Sequence, residues 1–269
     1  MIDHLFKSPS RLSQYFKSTI LCVLLIAFVA RAHAEQAIPV WTYYPSAPFI
    51  TAQGQGLSYD FIQLLNEYSQ QNGQLNQYHF ELKPLPRTRI NRNLAEGIPG
   101  MVLFVNWAWM GDKNKTEYLW SGVILTDRNE IASRSTGKQP IRIEYEYPDS
   151  LKGMVFGGVT GRFYKGLEGK FKSGDIIRRD VRQEELNLDL LLRGRIDFTS
   201  ISSSVLNYKV REKGIQGEIH YSSTPLISYT RHLLITKTLA SLAPEIESFV
   251  SSLEGNPKWH AIKRKYAVR

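Results

Sequence analysis

Tyr43, Tyr44 and Phe49 bracket the turn-forming run Pro45-Ser46-Ala47-Pro48, and their planes are suited to stacking on a ring or a cation. One or two of the three are expected to line a pocket. Phe49 by its apolar character also fits the core, whereas the tyrosines keep their hydroxyls near water. Asn106, Trp107 and Trp109 follow an apolar run; if extended, the two indoles project to one side and form an aromatic wall with a polar handle. A packing cluster between substructures or a partner surface is an equally good use of them. Arg87 and Arg89 open a helical stretch after Pro86, where a cation opposes the helix dipole; this adds weight to an anion-binding role for one of them, with plain surface charge still the simpler reading. Arg162 follows Val159-Thr160-Gly161 at a second strand-to-helix junction, where free helix-start amides attract anions. Ser202 and Ser203 offer hydroxyls at a strand end.

Catalytic patterns are missing. There is no nucleophile elbow, phosphate loop or His/carboxylate metal spacing. His79, His220, His232 and His260 are isolated, and Glu81, Glu144, Glu146 and Asp149 read as surface carboxylates. No catalytic residue, cofactor or metal site is therefore expected, and the chain is not read as an enzyme.

The elements that must position these residues alternate. Strands are expected at Ile38–Tyr43, Phe80–Leu82 and Met101–Val105, with helices at Tyr59–Tyr68 and Thr88–Glu96 between them. A second series has strands at Met154–Val159, Asp175–Val181 and Ile196–Ile201, a helix starting after Gly161 and another over Glu184–Leu192. Two extended segments, Val123–Ala132 and Leu226–Thr236, lie between the series and after the second one. They are followed by a helix over Pro244–Leu253 and a second helical stretch. This pattern predicts an α/β architecture of two lobes joined by two crossing strands, with a ligand cleft between them.

The 269 residues, 42% hydrophobic and 22% charged, suffice for one large or two modest domains and exclude disorder, collagen and coiled coil. The apolar run Ser18–Ala30 is short of the ~20 residues of a membrane span. Preceded by Lys7, Arg11 and Lys17 and followed by Ala32-His33-Ala34, it reads as a signal peptide over residues 1–34. Cleavage there removes Cys22, the single cysteine, so disulfides and thiol chemistry are excluded from the mature chain, which suits a bacterial periplasm. It also removes four cationic residues and Asp3, lowering the net charge from +9 to +6. The remaining basic residues are scattered among carboxylates, so no nucleic-acid partner is expected.

Ala47-Pro48-Phe49, Gly56-Leu57-Ser58-Tyr59-Asp60-Phe61, Leu94-Ala95-Glu96-Gly97, Ser150-Leu151-Lys152-Gly153, Leu191-Leu192-Arg193-Gly194-Arg195-Ile196-Asp197 and Ile262-Lys263-Arg264-Lys265-Tyr266 occur in an order that resembles the family 3 extracellular solute-binding proteins. This periplasmic class includes the amino-acid receptors of ABC importers. The resemblance implies a two-lobed periplasmic-binding-protein (Venus-flytrap, type II) fold with two hinge strands. Lobe 1 is then residues 35–126 and 230–269, and lobe 2 is the inserted 127–229. It further implies a monomer that captures a small solute and presents it to a membrane permease or sensor. In amino-acid-binding members an Arg grips the ligand carboxylate with a planar fork, and that position falls on Lys115; the Asp that takes the ligand ammonium falls on Ser202. The amino-acid clamp is therefore expected to be degraded, and a small polar or aromatic solute is expected instead.

Overall fold

Residues 35–137, 140–146 and 148–269 are described in a computed structural model of the chain. The leader read at residues 1–34 lies outside them. Strand β1 (Gln36–Thr42) leads through helix α1 (Leu57–Gln71) to β2 (Tyr78–Pro84), and helix α2 (Arg87–Ala95) returns the chain to β3 (Met101–Val105). Both connections join parallel partners of β1, which is the reason a helix is needed in each. Phe61, Leu64 and Leu65 of α1 and Ile90 and Leu94 of α2 face the sheet. β3 is buried at every residue, as expected for an uninterrupted apolar run covered on both faces.

The chain then leaves by β4 (Leu119–Trp120) and β5 (Leu125–Arg134) and builds a second parallel set. Here β6 (Val155–Val159) lies between β7 (Ile177–Val181) and β8 (Phe198–Ser202), with the short helices α3 (Glu168–Ser173) and α4 (Leu186–Leu192) as crossovers. Ile131, Phe156, Tyr164, Leu167 and Phe198 form the core under this set. Helix α5 (Ser203–Lys213), β9 (Ile219–Tyr221) and β10 (Ile227–Ile235) lead back, and α6 (Ala243–Ser252) and α7 (Pro257–Tyr266) end the chain. The sheet order is β2-β1-β3-β10-β5-β8-β6-β7, with β4 on β10 and β9 on β5.

β10 serves both halves. Its residues Ile227–Arg231 pair antiparallel with β5, while His232, Leu234 and Ile235 pair with β3 across a register shift. The segment before β5 runs alongside it, Ser121 N–H donating to Leu233 C=O and Ile124 N–H to Arg231 C=O. These are the two crossing strands expected from the sequence.

One expected helix is displaced. The chain past Gly161 forms a turn rather than a helix, and α3 begins only at Glu168. Gly161 adopts a φ of 75°, and Arg178 binds the carbonyls of Val159 and Arg162 (3.1 and 2.9 Å), which ties the turn down. The helix-start amides expected beside Arg162 are therefore not formed there.

The start of α1 fixes the turn after β1. Gly56 has a φ of 129° and no side-chain cap; instead Leu57 N–H and Ser58 N–H donate to the carbonyls of Pro48 (2.8 Å) and Phe49 (3.0 Å). A Cβ at Gly56 would meet the Phe49 carbonyl oxygen and lie 2.8 Å from Ile50 Cα. Gly56→Ala is thus expected to destabilise the chain by about 1–3 kcal/mol, read from urea unfolding, because strain and backbone overlap act together.

Candidate functional site

Between the two halves lies a cavity of about 200 Å³. Its first wall is the turn after β1, which brings Tyr43, Tyr44 and Phe49 together. The rings of Tyr43 and Tyr44 are 4.4 Å apart, those of Tyr44 and Phe49 4.8 Å, and the Tyr44 hydroxyl donates to that of Tyr43 (3.0 Å). Burial, with Tyr44 adding to it, pushes the Tyr43 phenol well above its usual range, so it remains a neutral hydrogen-bonding group. Phe49 has both roles read for it: it is 2% exposed in the core and also borders the cavity.

The facing wall comes from Val159 at the end of β6, Arg162 after it, Glu184 before α4, and Val205 of α5. Arg162 Nη1 donates to Glu184 Oε2 at 2.6 Å, and the Ser202 hydroxyl donates to Glu184 Oε1 at 2.8 Å. Burial disfavours the Arg162 charge, but the Glu184 carboxylate more than offsets this and holds its pKa above the usual arginine value. Two residues singled out in the sequence, Arg162 and Ser202, are thus joined by a third that was read only as a helix start. Glu184 thus places a carboxylate one hydrogen bond from Ser202.

The other expected site residues gather elsewhere. Residues 107–111 form turns rather than an extended segment, so the indoles of Trp107 and Trp109 diverge. Trp107 packs 4.7 Å from His232, whereas Trp109 packs 4.8 Å from Tyr229. The turns are held by Asp112, which accepts from the amides of Thr116, Glu117 and Tyr118 and from Trp120 Nε1 (2.8–3.1 Å). Lys115 Nζ lies 3.7 Å over the Trp107 ring. Asn106 binds the Thr230 carbonyl (3.1 Å) and the Ala108 amide (3.0 Å), joining the end of β3 to β10. Asn106, Trp107 and Lys115 therefore brace the crossing strands and do not border the cavity. Arg87 stands behind the first wall, its guanidinium 4.7 Å over the Tyr43 ring and bonded to the Trp109 carbonyl.

The largest omission from the sequence reading is a buried ion pair. Asp127 of β5 and Arg231 of β10 are each 2% exposed, and Asp127 Oδ2 accepts from Arg231 Nε (2.9 Å) and lies 2.8 Å from Nη2. Asp127 also accepts from the hydroxyls of Ser203 (2.6 Å) and Ser204 (2.7 Å) and from the Ser204 amide (3.2 Å) at the start of α5. Burial raises the Asp127 pKa, but the Arg231 charge and the two hydroxyls outweigh it and hold the carboxyl below the usual range. The available signal is Arg231, the one Lys, Arg, Asp or Glu of the extended segment Leu226–Thr236, and Asp127 about a hundred residues earlier in Val123–Ala132, where Arg128 and Glu130 accompany it.

No family model and no curated protein matches the chain by sequence. Solved structures do match in fold. The GluR0 ligand-binding core from Nostoc punctiforme, in complex with L-glutamate, superposes with a TM-score of 0.62 at 14% identity, covering 85% of this chain and 98% of that one. An ancestral arginine-binding protein bound to arginine gives 0.61 at 15%, covering 87% and 99%. An ABC uptake transporter substrate binding protein from Streptococcus pneumoniae with bound histidine gives 0.61 at 13%, covering 88% and 95%. The chain has the two-lobed Venus-flytrap fold of the periplasmic solute-binding proteins.

Removing one member of the buried pair, in Asp127→Ala or Arg231→Ala, is expected to cost about 3–5 kcal/mol in urea unfolding, since the survivor is left buried and uncompensated. An unfolded aspartate titrates near 3.9. The stabilisation from Asp127 is therefore complete above that pH and is lost as the pH falls through the lower folded value. Acid titrations of wild type and Asp127→Asn are expected to differ in that window, with the variant showing the shallower loss.

Proposed function

We propose that the chain is an exported, periplasmic solute-binding protein that closes two lobes, residues 35–126 with 230–269 and residues 127–229, on a small polar or aromatic solute. It then presents the solute to a membrane partner, an ABC permease or a sensor. The observation that carries this reading is the cavity itself. Stacked tyrosines on one side face a guanidinium–carboxylate pair on the other, a combination of apolar faces and a few convergent polar groups that suits ligand capture. The three structural neighbours are ligand-binding proteins by description, which favours binding over catalysis at the level of fold.

Those neighbours hold glutamate, arginine or histidine, and this cavity differs from what a zwitterion needs. The Lys115 ammonium is engaged by Trp107, the chain after Arg162 forms a turn rather than a helix start, and the Arg162 guanidinium is already paired with Glu184. A solute that stacks on Tyr43 or Tyr44 and exchanges hydrogen bonds with Arg162 and Glu184 fits better. The volume of about 200 Å³ limits it to a small molecule.

The test is a thermal-shift panel of the mature chain against amino acids, small carboxylates, polyamines, sugars and aromatic metabolites. A solute at 100 times its Kd adds about 2.7 kcal/mol. The expected result is stabilisation by a non-zwitterionic or aromatic solute, with standard amino acids weak. Arg162→Ala is expected to lower affinity for that solute by about 1.5–3 kcal/mol without unfolding the chain. Tight binding of an ordinary amino acid contradicts the solute class, and no response across the panel contradicts solute capture.

A further inference from the structure

The Arg231 guanidinium is enclosed by more than its ion pair. Four aromatic rings surround it, with its Cζ 4.9 Å from the centroids of Tyr44 and Phe49, 5.2 Å from Tyr229 and 5.5 Å from Trp109. Its edge is met by oxygen acceptors. Asp127 takes Nε and Nη2, the Phe104 carbonyl takes Nη1 at 3.1 Å, and the Tyr229 hydroxyl lies 3.4 Å from Nη2. Phe104 holds a φ of 59°, a left-handed conformation rare for so bulky a residue, at the very position whose carbonyl binds Arg231.

Aromatic faces for a flat cation and fixed acceptors for its in-plane N–H groups are what recognition of a free guanidinium requires. We propose that this is a guanidinium-binding site, occupied from within by the chain's own Arg231. Residue 231 then acts as a specificity determinant, because Tyr44 and Phe49 also border the solute cavity and Arg231 denies their cage to cationic solutes. That consequence for solute choice rests on the solute-binding reading; the existence of the cage does not. Trp109, 36% exposed, is the wall through which a small molecule would gain entry.

The substitution Arg231→Ala removes the atoms of an ethylguanidinium ion and leaves the cage walls in place. Thermal-shift and calorimetric titrations of Arg231→Ala with ethylguanidinium chloride are therefore compared with ethylammonium chloride at equal ionic strength, up to about 20 mM, well below denaturing levels. The expected result is saturable stabilisation by ethylguanidinium at least tenfold more effective than by ethylammonium, with wild type unresponsive. Adding Trp109→Ala to Arg231→Ala is expected to weaken the response several-fold, and Arg231→Met, which keeps the cage filled, is expected to show none. Where Arg231→Ala does not fold alone, refolding yield from urea with each cation is the readout, and only ethylguanidinium is expected to restore it. Equal effects of the two cations, an equal response in wild type, or failure of ethylguanidinium to restore folding overturns the proposal. A variant that binds ethylguanidinium while the wild type takes no solute retains the cage and removes only the solute reading; solute capture without ethylguanidinium binding does the reverse.

Discussion

The rest of the molecule is organised around one buried ion pair at the crossing of two strands. A guanidinium and a carboxylate removed from water are tolerable only if nearly all their hydrogen-bonding capacity is met. Here the partners come from both halves: the Phe104 carbonyl and three rings of the first, and the two seryl hydroxyls that start α5 in the second. The pair thereby constrains where β10 may exchange sheet partners. The handover occurs between Arg231 and His232, beside the residue whose side chain must remain in the aromatic cage.

The same constraint shapes the cavity. Tyr44 and Phe49 are held from behind by Arg231 and from below by the Gly56 junction, so the aromatic wall is fixed by contacts within the chain. The facing wall is polar but internally compensated, Arg162 and Ser202 both converging on Glu184. A preorganised wall lowers the ordering cost of binding, and a compensated pair favours solutes that exchange hydrogen bonds over those that bring a bare charge. His232 lies at the crossing with one ring nitrogen on the carbonyls of Ser121 and Gly122 (2.9 Å) and the other on Thr230 (2.7 Å). Burial lowers its pKa, so it remains a neutral brace there.

Where the sequence reading succeeded, a single local pattern was sufficient. Met101–Val105 is apolar throughout and forms β3 with those limits, and the spacing of Phe61, Leu64, Leu65 and Tyr68 marked α1. Tyr43, Tyr44 and Phe49 lie in the turn after β1 and Arg162 in the turn after β6, and all four border the cavity. The failures needed information from distant residues. The helix after Gly161 is prevented by Arg178, sixteen residues beyond Arg162, and the indoles of Trp107 and Trp109 are separated because Asp112 gathers four donors into a loop. Asp127 and Arg231 are 104 residues apart in sequence, and neither is unusual until the strands cross.

The central claim is that a small solute is taken between the lobes against the aromatic wall. Hydrogen–deuterium exchange of the wild-type chain, with and without a solute that stabilises it, tests this most directly because it reports the two walls separately. The account predicts simultaneous protection of the turn at 43–50 and of the segments at 159–162 and 182–186. Protection confined to one of these walls, or found only at the separate groove bordered by Asp60, Tyr208 and Lys265, would contradict it.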